Sequence, residues 1–380
     1  MNFSKKISEL ENNHLLRSRR VSNSPQKTRM VIDGSEVVNF CSNDYLSLAS
    51  HPKVKEAFIK GVEKYGSGSG ASHLVSGHSE SHKLLEEALS EFTGQENALI
   101  FSSGYSANLG IFSALRDEIK WALHDKLNHA SLIDGSRIAG LTIQRYLHNN
   151  LDSLDSKLEK QIGPGLVVTD NVFSMDGDVS SLKEITEISQ KSNAITIVDD
   201  AHGDFVMGKD GKGTPEHFNV AKKIDLYISS LSKGLGSFGG YVASQNNVID
   251  LCINKSKPFI YTSALPSFLV QHSIKRIESD RETQKKKLEN NVEKLARGLR
   301  SIGYEIKSNT QIIPIILGSE KLAMDFGKFL SVNGIFAQPI RYPTVPKNQA
   351  RLRISVTAWL TNSDVEKSLK IFEKAYRKFL

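Results

Sequence analysis

Cysteine is scarce in this chain, and long apolar runs are missing. Only 2 cysteines, Cys41 and Cys252, occur among 380 residues. Two isolated thiols provide neither a disulfide framework nor a zinc site, and this low cysteine usage is typical of the reducing cytosol. No apolar stretch approaches the roughly 18 residues that cross a bilayer. The start, MNFSKKISEL, lacks the apolar segment and cleavage site of a secretory signal. We therefore expect a cytoplasmic protein with no membrane role.

A large excess of one charge is also missing. The chain has 49 Lys+Arg against 42 Asp+Glu, for a net charge of +7. These charges are interspersed, and no basic groove studded with aromatic residues is visible. The sequence therefore does not have the pattern of a nucleic-acid-binding protein. The mild positive excess favours small anionic ligands.

Short apolar runs alternate with stretches of helical periodicity through most of the chain. Runs of β-branched residues such as Ile195–Val198 are typical of strands buried on both faces of a parallel sheet. Strands that alternate with helices indicate an α/β protein with a mostly parallel sheet and helices on both faces. The predicted strands are Ala98–Phe101, Trp121–Leu123, Ile143–Leu147, Leu166–Thr169, Ile195–Val198, Leu226–Ser229, Ile312–Leu317 and Arg351–Val356. The predicted helices are Pro52–Lys64, His82–Phe92, Ala107–Leu115, Ala323–Ser331 and Asp364–Lys378.

Composition along the chain predicts three regions. Residues 1–42 form an N-terminal arm with a short strand ending at Phe40, residues 43–280 a large domain, and residues 281–380 a small α+β domain. A continuous charged helix from Ser267 to about Arg300 would connect the last two. The apolar positions of an amphipathic helix in the arm are Ile7, Leu10, Leu15 and Leu16.

Polar residues close the buried strands, and ligands of open α/β sheets bind outside the carboxyl ends of the strands. Lys233, in the run Ser232-Lys233-Gly234 after one strand, is a candidate nucleophile, because burial lowers the pKa of an amine. Taken alone, the motif also fits a surface lysine in a glycine-rich turn. Gly234-x-Gly236-x-x-Gly239 leads into a strand, whereas a dinucleotide fingerprint opens a helix. The Ser-x-x-Lys motif at Ser230 lacks the partner motifs of penicillin-binding enzymes.

Asp199 closes the strand Ile195–Val198, 34 residues before Lys233. A strand-end aspartate followed by a strand-end lysine is the pair that a pyridoxal phosphate site needs: the lysine forms the Schiff base and the aspartate pairs with the pyridinium nitrogen. His78 and His82 stand at i, i+4 without the Glu of a zinc motif, so we expect no metal.

Two helix starts are further candidates. Gly104 begins a helix directly after a strand, which is typical of a phosphate cradle, although an ordinary N-cap fits as well. His129 precedes another helix, where its ring can stack on a planar cofactor or serve a purely structural role. The glycine-rich segment 66–70 lacks the Lys of a P-loop and is expected to be an interface loop.

These pieces, in this order, resemble the α-oxoamine synthases, which are fold-type I pyridoxal-phosphate enzymes. The resemblance covers nearly the whole chain. It rests on the motifs Asn39-Phe40-Cys41-Ser42-Asn43-Asp44-Tyr45-Leu46, Phe173-Ser174-Met175-Asp176-Gly177-Asp178, Asp199-Asp200-Ala201-His202-Gly203, Ser232-Lys233-Gly234 and Arg351-Leu352-Arg353-Ile354. The resemblance implies a large cofactor-binding domain, a small C-terminal domain and an N-terminal arm.

The resemblance also implies roles for individual residues. Lys233 would hold the internal aldimine, Asp199 the pyridine nitrogen and His202 the phenolic oxygen of the cofactor. The further cofactor contacts are His129 stacked over the ring, Gly104 and Tyr105 at the phosphate, Ser174, Ser230, and Ser263 across a dimer interface. The implied substrate contacts are Arg17, Asn43, His129, Thr344, Arg353 as the carboxylate clamp and Arg341 as a second candidate.

The family resemblance implies a pyridoxal 5'-phosphate-dependent acyltransferase. Its most similar members join L-alanine to a pimeloyl thioester of CoA or acyl carrier protein, release CO2, and serve biotin biosynthesis as homodimers with shared active sites. Two alternatives stay open: condensation of glycine or serine with another acyl-CoA, and a catalytically silent cofactor-binding partner subunit. The departures from the family pattern are Asp170 for Glu, Asp204-Phe205 for Thr-Gly, Leu360 for His, and Ser230 and Ser263 for Thr. None replaces Lys233 or Asp199, so we expect the chemistry to persist.

Overall fold

The computed structural model describes residues 3–277 and 281–380. By contact, these residues form two compact units. The first unit contains the chain up to Ser50, Ser174–Asp178 and Thr283–Leu380, and the second contains His51–Phe173 and Val179–Glu282. The three-domain division expected from the sequence remains a prediction.

The elements are numbered in chain order. The helices are α1 Phe3–Asn12, α2 Pro52–Tyr65, α3 Glu80–Thr93, α4 Gly104–Leu115, α5 Ala130–Ile138, α6 Leu151–Leu158, α7 Leu182–Lys191, α8 Gly213–His217, α9 Asn246–Lys255, α10 Lys257–Ile260, α11 Ser267–Ile277, α12 Arg281–Ile302, α13 Glu320–Val332 and α14 Asn362–Phe379. The strands are β1 Arg29–Ile32, β2 Ser35–Asn39, β3 Asn97–Phe101, β4 Trp121–Asp125, β5 Thr142–Tyr146, β6 Gly165–Asp170, β7 Ile195–Asp199, β8 Leu226–Ser230, β9 Gly240–Ser244, β10 Ile312–Gly318, β11 Ile335–Phe336, β12 Pro339–Ile340 and β13 Ala350–Ser355.

The second unit is built on one large sheet. Among the described residues, seven strands form it in the order β3-β9-β8-β7-β6-β4-β5. The strands from β8 to β5 run parallel, and β9 is antiparallel to both of its neighbours. The predicted α/β class with a mostly parallel sheet is therefore confirmed.

Alternate residues of the central strands feed two different cores. Leu166 and Val168 pack with the α4 residues Ile111 and Phe112, whereas Val167 packs in a second cluster with Leu154. Because side chains alternate across a strand, a continuous apolar run buries both faces of the sheet. The parallel order also brings the carboxyl ends of β4, β6, β7 and β8 to one edge.

The first unit carries two small sheets. Within its described residues, β1-β2-β11 and β10-β13-β12 are each three-stranded. The strands β1 and β2 form a hairpin with Asp33 at φ 49° and Gly34 at φ 79° in its two-residue turn. An Asp-Gly pair favours this turn because both positions need a positive φ.

The arm helix is shorter than the sequence predicts. It ends at Asn12, so that Leu15 and Leu16 lie beyond it, and His14 adopts a φ of 56°. The Leu15 amide donates instead to the Leu10 carbonyl. A left-handed residue directly after the last turn terminates a helix in this way. The predicted helix from Ser267 to Arg300 crosses positions 278–280, and that part of the prediction lies outside the described residues.

Candidate functional site

Lys233 and His202, two of the predicted site residues in the second unit, have side chains in direct contact. Lys233 follows β8 in a turn whose ends are joined by a hydrogen bond from the Leu231 amide to the Gly239 carbonyl. The Lys233 Nζ lies 2.9 Å from His202 Nε2. Since His202 follows β7, the neighbouring strands β7 and β8 bring these two side chains to the same edge of the sheet.

Asp199 sits at the end of β7 and is largely buried. Its carboxylate accepts hydrogen bonds from the Asn108 side-chain amide at 2.7 Å and from the Ala201 backbone amide at 3.0 Å. The two donors contact different oxygens and so fix the orientation of the carboxylate. Asp199 is thus held by the protein in an orientation that suits pairing with a cation.

His129 joins Asp199 through a chain of hydrogen bonds. Asn108 Nδ2 also donates to Ser131 Oγ at 2.8 Å, and Ser131 Oγ lies 2.7 Å from His129 Nδ1. Because Ser131 accepts from Asn108, its own proton is directed to His129 Nδ1, and the Ser131 amide also donates to that nitrogen at 3.3 Å. This arrangement assigns the neutral His129 tautomer that carries its proton on Nε2.

The electrostatics of His129 agree with a neutral ring. Burial lowers its pKa, the charge of Asp199 raises it, and the positive charge of Lys233 lowers it. Lys233 and Asp199 are thus close enough to His129 for their charges to change its pKa. The His129 ring therefore interacts electrostatically with both residues.

Asp170, at the end of β6, supports His129 from the backbone side. Its carboxylate accepts a hydrogen bond of 2.6 Å from the His129 amide. Burial and the neighbouring charge of Asp199 raise the pKa of Asp170 well above its usual range. Asp170, a strand-end residue where the family pattern has glutamate, thus fixes the backbone at His129.

The start of α4 lies tightly against β8 and β9. A Cβ placed on Gly104 would come within 3.2 Å of Ser230 Cβ, and one placed on Gly240 would lie 2.4 Å from the Gly104 nitrogen. Ser103 caps the helix by accepting from the Ser106 amide at 3.0 Å. Gly240 therefore lets β9 approach the first turn of α4 more closely than a residue with a Cβ would allow, and a helix N-terminus of this kind can bind a phosphate.

Three other predicted cofactor contacts, Tyr105, Ser263 and Ser174, each bond to a different part of the chain. Tyr105 is half-exposed and donates to Asp134 at 2.7 Å. Ser263 forms a backbone bridge with Ser72, next to the π-helical turn His73–Gly77. Ser174 belongs to the first unit, and its carbonyl accepts a hydrogen bond from Arg353 Nε.

Arg353, on β13 of the first unit, is buried among hydrogen-bond acceptors. Nη1 donates to Asn43 Oδ1 at 3.0 Å and to Ser355 Oγ at 2.6 Å, and Nη2 donates to the Tyr45 hydroxyl at 3.1 Å. With Nε on Ser174, these contacts occupy four of the five N–H groups of a guanidinium. A bidentate grip on a carboxylate would thus require Arg353 to exchange at least one of these partners.

Arg17, Arg341 and Thr344 form a second cluster in the first unit. Arg17 Nη2 donates to Thr344 Oγ1 at 3.3 Å and to the Tyr342 carbonyl at 3.4 Å. Arg341 donates to the arm carbonyls of His14 and Leu16. Arg341 therefore holds the arm, whereas the exposed Arg17 is the arginine of this pair that suits a ligand contact.

Sequence reasoning missed Asn108 and Ser131. Both are almost fully buried polar side chains, each 1 % exposed, on helices that pack against each other. A polar residue at an apolar position of α4 was the available signal, but its partner Asp199 lies 91 residues away. Pattern within one helix carries no information about such a partner.

The geometry can be compared with known proteins. Residues 35–372 match the family model of class I and II aminotransferases. An 8-amino-7-oxononanoate synthase of Thermoanaerobacter pseudethanolicus is 41% identical over 97% of this chain and 95% of its own length. One from Methylococcus capsulatus is 42% identical over 97% of both chains.

The chain belongs to the class I and II aminotransferase family and, within it, to the family of the 8-amino-7-oxononanoate synthases. This result confirms the family predicted from the motifs.

Solved structures of relatives share the fold of this family member. The serine palmitoyltransferase of S. paucimobilis, with bound PLP–myriocin aldimine, superimposes with a TM-score of 0.93 at 28% identity, covering 99% of this chain and 97% of its own. The 8-amino-7-oxononanoate synthase of Francisella tularensis has a TM-score of 0.78 at 28% identity, covering 90% and 98%. These similarities confirm the fold-type I assignment.

Across residues 3–277 and 281–380, no group of three or more His, Cys, Asp or Glu is arranged to hold a metal ion. In the same part of the chain, no helix is long and apolar enough to cross a membrane.

Proposed function

We propose that this chain condenses L-alanine with a pimeloyl thioester of CoA or acyl carrier protein to give 8-amino-7-oxononanoate, CO2 and the free thiol. Relatives that carry the name of this activity are 41% and 42% identical to the chain over nearly its full length. The observation that carries the proposal is the set of Lys233, His202, Asp199 and His129 at one edge of the large sheet.

The residues of the second unit fit pyridoxal 5'-phosphate. The narrow corner at Gly104 and Gly240 offers backbone amides to a phosphate, Asp199 offers an oriented carboxylate to a pyridinium, and Lys233 offers an amine. When bound, this cofactor withdraws electrons from the substrate Cα and so stabilises negative charge there.

The chain's own residues would supply binding and proton transfer. Asp199, fixed by Asn108, would hold a proton on the ring nitrogen of the cofactor. The Lys233 amine would remove and return the proton at the substrate Cα as a general base, with His202 in contact with its nitrogen. The neutral His129 would lie over the cofactor ring and donate from Nε2 to the substrate.

On the substrate side, we propose Arg353 as the clamp of the amino-acid carboxylate. Its planar guanidinium suits bidentate carboxylate recognition, and Asn43 would move from Nη1 as the carboxylate binds. Arg17 and Thr344 would contact the acyl thioester. Ser174, Ser230, Tyr105 and Ser263 remain proposed cofactor contacts, Ser263 from a second copy of the chain in a homodimer. We also propose that the enzyme acts in the cytoplasm.

A single incubation tests the substrates. The purified chain with pyridoxal phosphate and pimeloyl-CoA is supplied in turn with L-alanine, glycine and L-serine, and product mass and free CoA are measured. Product with alanine alone is the expected result. The high TM-score with a serine palmitoyltransferase makes serine the second candidate, and product only with serine would replace alanine in the proposal.

The Lys233→Ala variant tests the role of the lysine. It should lose turnover and the visible absorbance of the bound cofactor, whereas Lys209→Ala, at an exposed lysine of the same unit, should keep both. A Lys233→Ala protein with full turnover would refute the assignment. The proposed homodimer would be contradicted by a fully active monomer in solution.

A further inference from the structure

Two residues beside the site, Asp204 and Phe205, have surroundings that the proposed reaction does not explain. Phe205 is fully buried, yet its φ is 64°, in the left-handed region that aromatic residues rarely occupy. Its ring stacks on Phe92 at a centroid distance of 4.8 Å. The guanidinium of Arg281 lies 4.9 Å from the Phe92 ring centroid and 5.6 Å from that of Phe205. This packing fixes a backbone conformation that the local sequence disfavours.

Asp204 is buried in a polar network behind the same segment. Its carboxylate accepts a hydrogen bond of 2.8 Å from the Tyr241 hydroxyl. The neighbouring Asp200 accepts from the Thr214 amide at 2.8 Å and from the Tyr227 hydroxyl at 3.0 Å. Burial raises the pKa of Asp200 to about 8 and that of Asp204 to about 6. The charged and titratable groups that face Asp204 are Asp200, Tyr227, Tyr241 and Arg281.

The backbone links this network to both members of the Lys233–His202 pair. The amides of Gly203 and Asp204 both donate to the Asp200 carbonyl, at 2.9 and 2.8 Å, and form the tight turn that carries His202. On the other side, a Cβ at Gly234 would lie 2.5 Å from the Asp204 carbonyl oxygen and 3.1 Å from Phe205 Cβ. The Asp204–Phe205 backbone therefore packs directly on the residue that follows Lys233.

We propose that Asp204 and Phe205 are positioning residues that hold the His202 ring against the Lys233 amine and thereby set the reactivity of that amine. A rigid support outside the reacting groups keeps them in the productive geometry. The inference rests on the proposed role of Lys233. Lys233 also interacts electrostatically with His129 and Asp170, which belong to other elements than Asp204.

The test compares Asp204→Asn and Tyr241→Phe with the wild type. Tyr304→Phe is the matched control, since it also removes a buried hydroxyl hydrogen bond, to the Phe372 carbonyl in the first unit. In the cofactor-free full chain, the rate at which an amine-selective reagent labels Lys233 is followed against pH by peptide mass spectrometry. In the holoenzyme, the visible absorbance of the bound cofactor is titrated over the same range.

Both variants should move the Lys233 labelling midpoint to lower pH by about half a unit or more, a threefold change in protonation, because a Lys233 ammonium loses its contact with His202 Nε2. They should also move the midpoint of the visible titration. Tyr304→Phe should lower the Tm and leave both midpoints unchanged. If both variants have a lower Tm but the same midpoints of Lys233 labelling and of visible absorbance as the wild type, the positioning role is wrong. A wild-type holoenzyme without visible absorbance would instead refute the proposed function.

Discussion

The Asn108 side-chain amide donates a hydrogen bond of 2.7 Å to the Asp199 carboxylate and a second one of 2.8 Å to Ser131 Oγ. One buried asparagine thereby orients the carboxylate proposed for the cofactor nitrogen and, through Ser131, sets the tautomer of His129. The two proposed cofactor contacts are thus coupled by a residue that touches both networks.

Replacement of Asn108 should break the link between Asp199 and His129. Asn108→Ala removes the donor to Oδ2 of the buried Asp199 carboxylate, while the Ala201 amide still donates to Oδ1, and we expect this loss to be worth about 2–3 kcal/mol. We expect the Kd for pyridoxal phosphate to rise roughly thirtyfold or more, measured by titration of visible absorbance. Asn291→Ala is the control, because Asn291 is a buried asparagine of the first unit that donates to Thr357 and Leu360 carbonyls. Equal cofactor affinity in both variants would contradict the coupling.

The close packing of β9 against the start of α4 leads us to expect that a side chain at Gly240 would disturb cofactor binding. Gly240→Ala would place a Cβ 2.4 Å from the Gly104 nitrogen and displace the first turn of α4. We expect at least about tenfold weaker binding of pyridoxal phosphate, since the helix amides no longer converge on the phosphate. Gly68→Ala serves as the control, because a Cβ there meets nothing within 4 Å and its φ is not positive. Tight cofactor binding by Gly240→Ala would show that this corner is not the phosphate site.

Glu86, on α3, predicts a pH dependence of stability. Burial raises its pKa from the usual 4.5 to about 8 in the folded chain. Between these values the unfolded chain releases the proton while the folded chain keeps it, so this carboxyl lowers the free energy of unfolding as pH rises.

The isosteric variant Glu86→Gln has no carboxyl to titrate, so its free energy of unfolding should not fall with rising pH for this reason. Glutamine keeps an oxygen to accept from the Ile100 amide, which now donates to Glu86 at 3.1 Å. Urea unfolding should find the variant more stable than the wild type by roughly 2–4 kcal/mol at about pH 9, with little gain at about pH 4. Glu87→Gln, at an exposed neighbour, should have no such pH-dependent gain. A constant difference across this pH range would refute the buried-carboxyl explanation.

Arg17 of the N-terminal arm should affect the binding of the acyl thioester and not that of alanine. Arg17→Ala removes the guanidinium that contacts Thr344 and the Tyr342 carbonyl. We expect the KM for pimeloyl-CoA to rise about three- to tenfold, because an exposed charge–anion contact is weakened by solvent. The KM for alanine should stay the same. Arg19→Ala, at another exposed arm arginine, is the control, and an increase confined to the alanine KM would place Arg17 at the other substrate.

Some features follow from the chain order of residues alone. The β-branched run before Asp199 and the small residues around Lys233 lie at the ends of adjacent strands, so a parallel sheet brings them to one edge. The Asp33-Gly34 hairpin was also readable from the sequence, because its turn depends only on local φ preferences, yet only one of its strands was predicted. The end of the arm helix at Asn12 gave no such signal, since its terminator is a left-handed histidine.

The sequence by itself determined the α/β class, the strand-end candidates Asp199 and Lys233, and the family, because these depend on periodicity and local motifs. Only the tertiary structure decided that Asn108 orients Asp199, that His129 is protonated on Nε2, and that Phe205 is held in a left-handed conformation. The physical reason is that each of these depends on a partner far along the chain: an amide from α4, a hydroxyl held by that amide, and an aromatic ring from α3. Hydrogen-bond direction and ring packing are properties of the folded neighbourhood, which no local pattern encodes.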